Sequence, residues 1–196
     1  MTISRRHLLR YAASASALAA TGAIPATLTR AFAAEEEKRT IPWKNWSGGQ
    51  SATPEIRLAP ASEAELSEIV KTSVTPIRAV GAGHSFSPLV PTQGTLLSLD
   101  RLNGLIGHDP ERQRATLRAG TRLGAMGDLL AAKNLALANM PDINKQTIAG
   151  AISTATHGTG ADIGSLSSFV TAMRLTTASG DALDCDETSN PDLLSA

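Results

Sequence analysis

A strand-like run from Ile77 to Val80 delivers the chain into Gly81-Ala82-Gly83-His84-Ser85-Phe86-Ser87-Pro88, and this junction restricts the possible folds more than any other segment. Two glycines around one small residue make a tight loop, because glycine accepts the positive φ angles that such loops require. Successive backbone N–H groups in a loop of this kind converge on one anion, and a pyrophosphate suits the spacing. A doubly wound dinucleotide-binding unit begins in the same way, but it needs a third glycine and an uninterrupted helix behind the loop. The third glycine is lacking, and Pro88 stands where that helix would run.

Around this junction the pattern alternates between short apolar stretches and helical ones. Ile56 to Leu58 reads as a strand ending at Pro60, and Ser62-x-x-Glu65 as a capping box that opens a helix with Leu66, Ile69 and Val70 on one face. Leu96 to Leu99 and Arg112 to Arg118 read as strands, the second with Arg112, Arg114, Thr116 and Arg118 on its wet face. A helix follows over Arg122 to Lys133, turned by Asn134-Leu135. Phe169 to Ala178 alternates as a strand, and Ser179-Gly180-Asp181 turns it into a partner over Ala182 to Cys185. The fold class is α+β. Residues 34–54, charged and then rich in Gly, Ser and Pro, read as a linker, with Trp43 and Trp46 able to dock onto the body.

The longest informative run is 139–160. Small residues recur at Ala149, Gly150, Ala151, Ser153 and Ala155, and the loop Thr156-His157-Gly158-Thr159-Gly160 follows. Spacing alone allows two readings: a backbone that closely approaches a ligand, or a close-packed helix with a Gly-rich exit.

The first 33 residues form a separate unit. Ser4-Arg5-Arg6 opens a positive segment that also holds His7, an Ala-rich run continues from Tyr11 to Leu28, and Ala31-Phe32-Ala33 has the form of a signal-peptidase site. Paired arginines after a serine resemble the twin-arginine signal, which exports proteins already folded around a cofactor. The expectation is an exported protein, periplasmic or extracellular, handled by the twin-arginine machinery. The apolar run is too polar and too short for a stable membrane span. Removing residues 1–33 takes four of the 18 basic residues and none of the 18 acidic ones, so 14 basic residues remain and the balance moves to about −4. No basic patch is left to hold a polyanion, and with aromatics at 3% there is no stacking platform, so no nucleic-acid partner is expected. The single Cys185 excludes an intrachain disulfide and cysteine-based metal sites, and reads as a half-buried residue in a strand. No zinc-ligand spacing and no Lys-bearing phosphate loop occurs.

Taken together, Pro60-Ala61-Ser62 at a helix start, the strand into Gly81-Ala82-Gly83-His84-Ser85, and Gln146-Thr147-Ile148-Ala149-Gly150-Ala151-Ile152-Ser153-Thr154-Ala155-Thr156-His157-Gly158-Thr159-Gly160 resemble the FAD-binding (PCMH-type) domain of the vanillyl-alcohol oxidase superfamily. The likeness runs from about Glu55 to the last residue and is greatest toward the sugar-lactone and polyol oxidases. It implies two small α/β subdomains over 55–196, with the substrate domain that relatives carry missing. The domain is expected to be incomplete, a fragment or the product of a truncated gene, because relatives continue beyond Asn190-Pro191-Asp192-Leu193-Leu194-Ser195-Ala196.

The resemblance also implies the site. Gly81, Ala82, Gly83, His84, Ser85, Phe86 and Ser87 would wrap the FAD pyrophosphate, and His84 would be joined to the flavin 8α-methyl group. Asp142, Thr147, Gly150, Ser153, Thr154, Thr156, Gly158 and Gly160 would line the rest of the groove. Nothing in this chain is assigned a catalytic role, since the base and the substrate contacts of relatives lie in the second domain. His157 is expected to order its loop through a backbone hydrogen bond, and His108, beside Asp109 and Pro110, to be a solvated turn residue. The implied reaction is hydride transfer from a CH–OH carbon to the flavin, with reoxidation by dioxygen. Asp142-Ile143 followed by Gln146 to Gly150 points to an aldonolactone oxidase of the D-arabinono-1,4-lactone or L-gulono-1,4-lactone type, with alditol oxidase the nearest rival. Two other classes compete: a non-catalytic FAD-binding module, and the cell-wall reductase of a UDP-sugar enolpyruvyl ether, whose cytoplasmic location conflicts with an export signal.

Overall fold

The structure is a computed structural model that describes residues 41–194. The expected export segment, 1–33, and the start of the expected linker lie outside the described residues. What is described mixes helix and sheet: strands β1 (Trp43–Lys44), β2 (Ser51–Ala52), β3 (Ile56–Leu58), β4 (Ile77–Val80), β5 (Thr95–Ser98), β6 (Leu105–Asp109), β7 (Arg114–Leu117), β8 (Ala172–Thr176) and β9 (Ala182–Asp186), with helices α1 (Glu63–Thr72), α2 (Leu123–Ala131), α3 (Ile148–Ile152) and α4 (Pro191–Leu194). A 3-10 turn covers Leu166–Phe169.

Strands β3, β5 and β4 form a parallel sheet in that order, with Ile56 and Ile77 both in register with Thr95. The central strand is buried along Thr95, Leu96 and Leu97, as an inner parallel strand covered on both faces must be. Its neighbours are edges, and each exposes an arginine, Arg57 and Arg78. Parallel strands need a long connection. Between β4 and β5 that connection is the irregular segment 81–94 rather than a helix, as Pro88 requires.

Helix α1 begins where the capping box places it. The Ser62 hydroxyl accepts the Glu65 N–H at 3.1 Å, and the Glu65 carboxylate reaches back to the Ala61 N–H at 2.7 Å, one residue further than a strict box. Leu66, Ile69 and Val70 are half-buried. The β8–β9 hairpin lies against this helix. Its turn carries Gly180 at φ +79°, where a Cβ would run into the side chain of Lys71 and the carbonyl of Ser67, and the Ser67 hydroxyl donates to the Gly180 carbonyl at 2.5 Å. Arg174 of β8 donates twice to Asp184 of β9, at 2.6 and 3.1 Å, and once to Glu63 at 3.4 Å. Hydrogen bonding from Arg174 holds the Asp184 carboxyl below its usual range. All three groups are solvated, so the pairs orient the hairpin more than they stabilise it.

Two buried clusters hold the body together. One joins Leu123, Met126 and Leu130 of α2 with Ala151 of α3 and Leu166. The other joins Trp43, Val80 and Leu96.

Several elements depart from the sequence expectation. Residues 41–54 are not a linker: β1 and β2 pair as an antiparallel hairpin, and Trp43 is buried against β4 and β5. His108 is not in a turn; it is an exposed residue of β6, which pairs with β7 although Gly107, His108 and Asp109 are poor strand formers. Pairing across the sheet overrides their local preference. Arg118, expected on the wet face of β7, is half-buried just beyond its end. Helix α2 starts after Arg122, which has extended backbone angles, and ends at Ala131. The strand expected from Phe169 begins at Ala172, because Leu166–Phe169 coils into a 3-10 turn. Cys185 does lie in a strand but is fully buried. Among the described residues no helix is long and apolar enough to cross a membrane.

The α2 cluster supplies a paired stability test. Leu123 is 0% exposed at its centre, so Leu123→Ala is expected to cost about 2–5 kcal/mol in urea denaturation through the cavity it leaves. Gly127, on the solvent side of the same helix with nothing within 4 Å of a Cβ, is expected to stabilise by roughly 0.5–1 kcal/mol when changed to Ala.

Candidate functional site

Val80 is the last residue of β4 and is buried, so the chain leaves the sheet at Gly81 with its backbone fixed. A Cβ on Gly81 would collide with the hydroxyl oxygen of Thr147, the residue that caps α3. The two motifs read from the sequence therefore meet at this point, with no room for a side chain between them. Gly83 turns at φ +67° over the ring of Trp43, whose Cζ2 atom would lie 3.4 Å from a Cβ there.

The loop beyond is gripped from the side by the β1–β2 hairpin. The backbone N–H of Trp46 donates to the Gly83 carbonyl at 3.0 Å, the Asn45 amide donates to the Ser85 carbonyl at 3.0 Å, and the Gln50 amide donates to the Phe86 carbonyl at 3.2 Å. The indole of Trp46 stands edge-on to the half-buried His84 ring, with centroids 5.2 Å apart at 64°, and edge-on to Phe86 at 5.8 Å. Ser87 closes the loop by donating its N–H to the Ser85 hydroxyl at 3.2 Å.

The second motif is held by the chain segment before α2. Leu123 N–H bonds the Gln146 carbonyl at 2.9 Å, Gly124 N–H the Asn144 carbonyl at 2.9 Å, and Ile148 N–H the Thr121 carbonyl at 2.8 Å. Arg122 donates to the Lys145 carbonyl at 3.0 Å while paired with Asp100 at 2.8 Å. Pinned in this way, Thr147 is buried, and its hydroxyl accepts the Gly150 N–H at 3.3 Å. The 147–155 run is thus a close-packed helix of one turn or so, with Ala151 fully buried, and its backbone also meets the first loop.

Past α3 the hydroxyls form a short chain. Thr154 donates to the Gly150 carbonyl at 2.9 Å and lies 3.3 Å from the Thr156 hydroxyl, which accepts from the Gln146 amide at 3.1 Å. His157 Nδ1 donates to the Gly158 carbonyl at 2.8 Å, the loop-ordering role expected of it. A Cβ on Gly158 would strike Asn139 and the Met140 carbonyl, and Asn139 donates to the Thr159 carbonyl at 3.2 Å. Gly160 sits at φ +120°, open only to glycine without strain.

Of the expected site residues, the structure brings together Gly81 with Thr147 and Gly150, and Thr154 with Thr156. Ser153 is exposed at the end of α3, and Asp142 is exposed on the loop before Thr147, apart from these contacts. The segments 81–87 and 146–160 contain no Lys or Arg. An anion bound there would be held by N–H and hydroxyl donors, which fits a pyrophosphate cradled by backbone at a glycine that a Cβ would fill. Among the described residues no group of three His, Cys, Asp or Glu could hold a metal ion.

Asn45, Trp46 and Gln50, which grip the loop, and Asn139 and Gln146, which order the second one, were not among the expected site residues, although Trp46 was expected to dock onto the body. The signal for the first three was present: Trp43-Lys44-Asn45-Trp46, then Ser47-Gly48-Gly49, then Gln50-Ser51-Ala52, is two short strands around a Gly-containing turn.

Residues 54–186 match the family model described as FAD binding domain. L-gulono-1,4-lactone dehydrogenase of Mycobacterium tuberculosis is 37% identical over 148 residues, 74% of this chain and 35% of that protein. L-gulonolactone oxidase of Scyliorhinus torazame is 34% identical over 157 residues, covering 79% and 36%, and D-arabinono-1,4-lactone oxidase of Candida glabrata is 34% identical over 166 residues, covering 81% and 32%. The chain spans about a third of the length of these curated relatives. With both glycine-rich motifs inside the matched stretch, the chain belongs to the FAD-binding domain family that these lactone oxidoreductases share.

Proposed function

We propose that this chain is the FAD-binding part of an exported oxidoreductase acting on the CH–OH group of a sugar lactone, of the D-arabinono-1,4-lactone or L-gulono-1,4-lactone type. The observation that carries the reading is the meeting of Gly81 with Thr147, which joins two backbone-lined loops within the stretch matched to the FAD-binding family. The two buried clusters, one beside β4 and one beneath α2 and α3, support a division into two small subdomains.

In this reading the loop 81–87 wraps the pyrophosphate with backbone donors, and Thr147, Gly150, Thr154, Thr156, Gly158 and Gly160 line the remainder of the groove with Asp142 and Ser153 at its margin. FAD, when bound, supplies the hydride acceptor that no amino-acid side chain can. His84 would hold FAD through a ring nitrogen at its C8 methyl group, and attachment there would keep the cofactor from escaping outside the cell. The names of the relatives include both an oxidase and a dehydrogenase, so turnover with dioxygen compared with turnover by an artificial acceptor distinguishes the two modes.

Three outcomes test the reading. The purified chain is expected to show flavin fluorescence on a denaturing gel and His84→Ala to lose it; fluorescence that survives in His84→Ala removes His84 as the anchor. Gly81→Ala drives a methyl group into Thr147, and overpacking of about 1–3 kcal/mol is expected to weaken FAD binding roughly tenfold or more, read by titration of flavin fluorescence. Replacing Arg5 and Arg6 together by Lys is expected to leave the protein in the cytoplasm with residues 1–33 attached; continued export with cleavage would remove the twin-arginine assignment.

A further inference from the structure

We propose that Trp46 is the positioning residue for flavin attachment at His84, carried by the β1–β2 hairpin; this rests on the reading of His84 as the anchor. His84 is flanked by two carbonyls that the hairpin takes up. Gly83 O accepts from the Trp46 N–H at 3.0 Å, and Ser85 O accepts from the Asn45 amide at 3.0 Å. Asn45 is 6% exposed and is itself fixed, since its side-chain oxygen accepts the Gln50 N–H across the hairpin at 2.9 Å. The backbone on both sides of His84 is thus locked to the two successive residues that hold the indole.

What remains free at His84 is rotation of its ring, and that is what Trp46 limits. The indole meets the imidazole edge-on at 5.2 Å and 64°, and the Phe86 ring also packs edge-on against the indole at 5.8 Å and 75°. Edge-to-face contacts fix relative ring orientation at a modest gain in energy. Trp46 is nevertheless 55% exposed and Phe86 70% exposed. A tryptophan kept half in water adds little to a core, whereas Trp43, three residues earlier on the same hairpin, supplies the buried anchor.

Attachment needs that orientation. One bond forms, from a ring nitrogen of His84 to the C8 methyl carbon; the imidazole N–H and one methyl C–H each give up a proton. The two electrons released pass with those two protons to dioxygen, which leaves as hydrogen peroxide. A ring free to rotate would present its nitrogen to the methyl group only part of the time, and misplacement on the order of 1 Å can cost about a hundredfold in rate between held groups.

The test is a time course of attachment. Flavin-free chain is mixed with FAD in air, and covalent flavin is read as gel fluorescence against total bound FAD and thermal stability. Trp46→Ala is expected to slow attachment by about tenfold or more with total FAD and melting temperature unchanged, and Trp46→Phe to recover to within about threefold of wild type. Attachment by Trp46→Ala at the wild-type rate overturns the inference alone. So does a slow rate shared by both variants and accompanied by lost FAD binding and a lower melting temperature, which would make Trp46 merely structural. A wild-type chain that binds FAD but never attaches it overturns the reading of His84 together with this one.

Discussion

The contact between Gly81 and Thr147 is the constraint on which the rest depends. One residue ends a strand of the parallel sheet, the other starts a helix packed into a different cluster, and no side chain fits between them. Everything else can be read as holding these two points in place. Val80 and Leu96 fix the first from below. The hydrogen bonds from Ile148 to Thr121 and from Leu123 to Gln146, together with Arg122 reaching Lys145, fix the second. A glycine is demanded at 81 by a neighbour far away in sequence, not by its own backbone angles, since only Gly83 in that loop turns to positive φ.

That difference explains how much of the molecule was legible beforehand. The start of helix α1 and strands β3 and β4 were readable in the sequence, because Ser62, Glu65, Pro60 and Gly81 mark those boundaries by local chemistry. The glycines of the site were legible as a pattern, but what Gly81 avoids was not, because Thr147 reaches it only through folding. β6 was missed for the opposite reason: Gly107, His108 and Asp109 carry no strand signal, and their pairing with β7 is imposed from across the sheet. The hairpin β1–β2 was hidden by its composition. Gly, Ser and Pro around two tryptophans resemble a linker until Trp43 is seen to be buried.

The proposed FAD site would hold a doubly charged group with few charges of its own. Neither 81–87 nor 146–160 contains a Lys or Arg, and the side-chain donors are Ser and Thr hydroxyls together with Gln146, already engaged in holding Thr156, and the rings of His84 and His157, the latter bonded to the Gly158 carbonyl. Electrostatic complementarity then rests on oriented N–H groups, which costs no buried charge when the site is empty. The family match over 54–186 gives that arrangement its context, while the hairpin that grips the His84 loop lies just before the matched stretch. Support for the loop and the loop itself are therefore distinct parts of the chain.

Cys185 sits at 1% exposure in β9, opposite Met173 of β8, within a hairpin tied to α1 by Gly180 and Arg174. A thiol so enclosed meets a reagent only when the hairpin lifts away from the body. The chain thus carries a natural clock for that movement: the rate at which its lone thiol is alkylated reports how often β8–β9 opens.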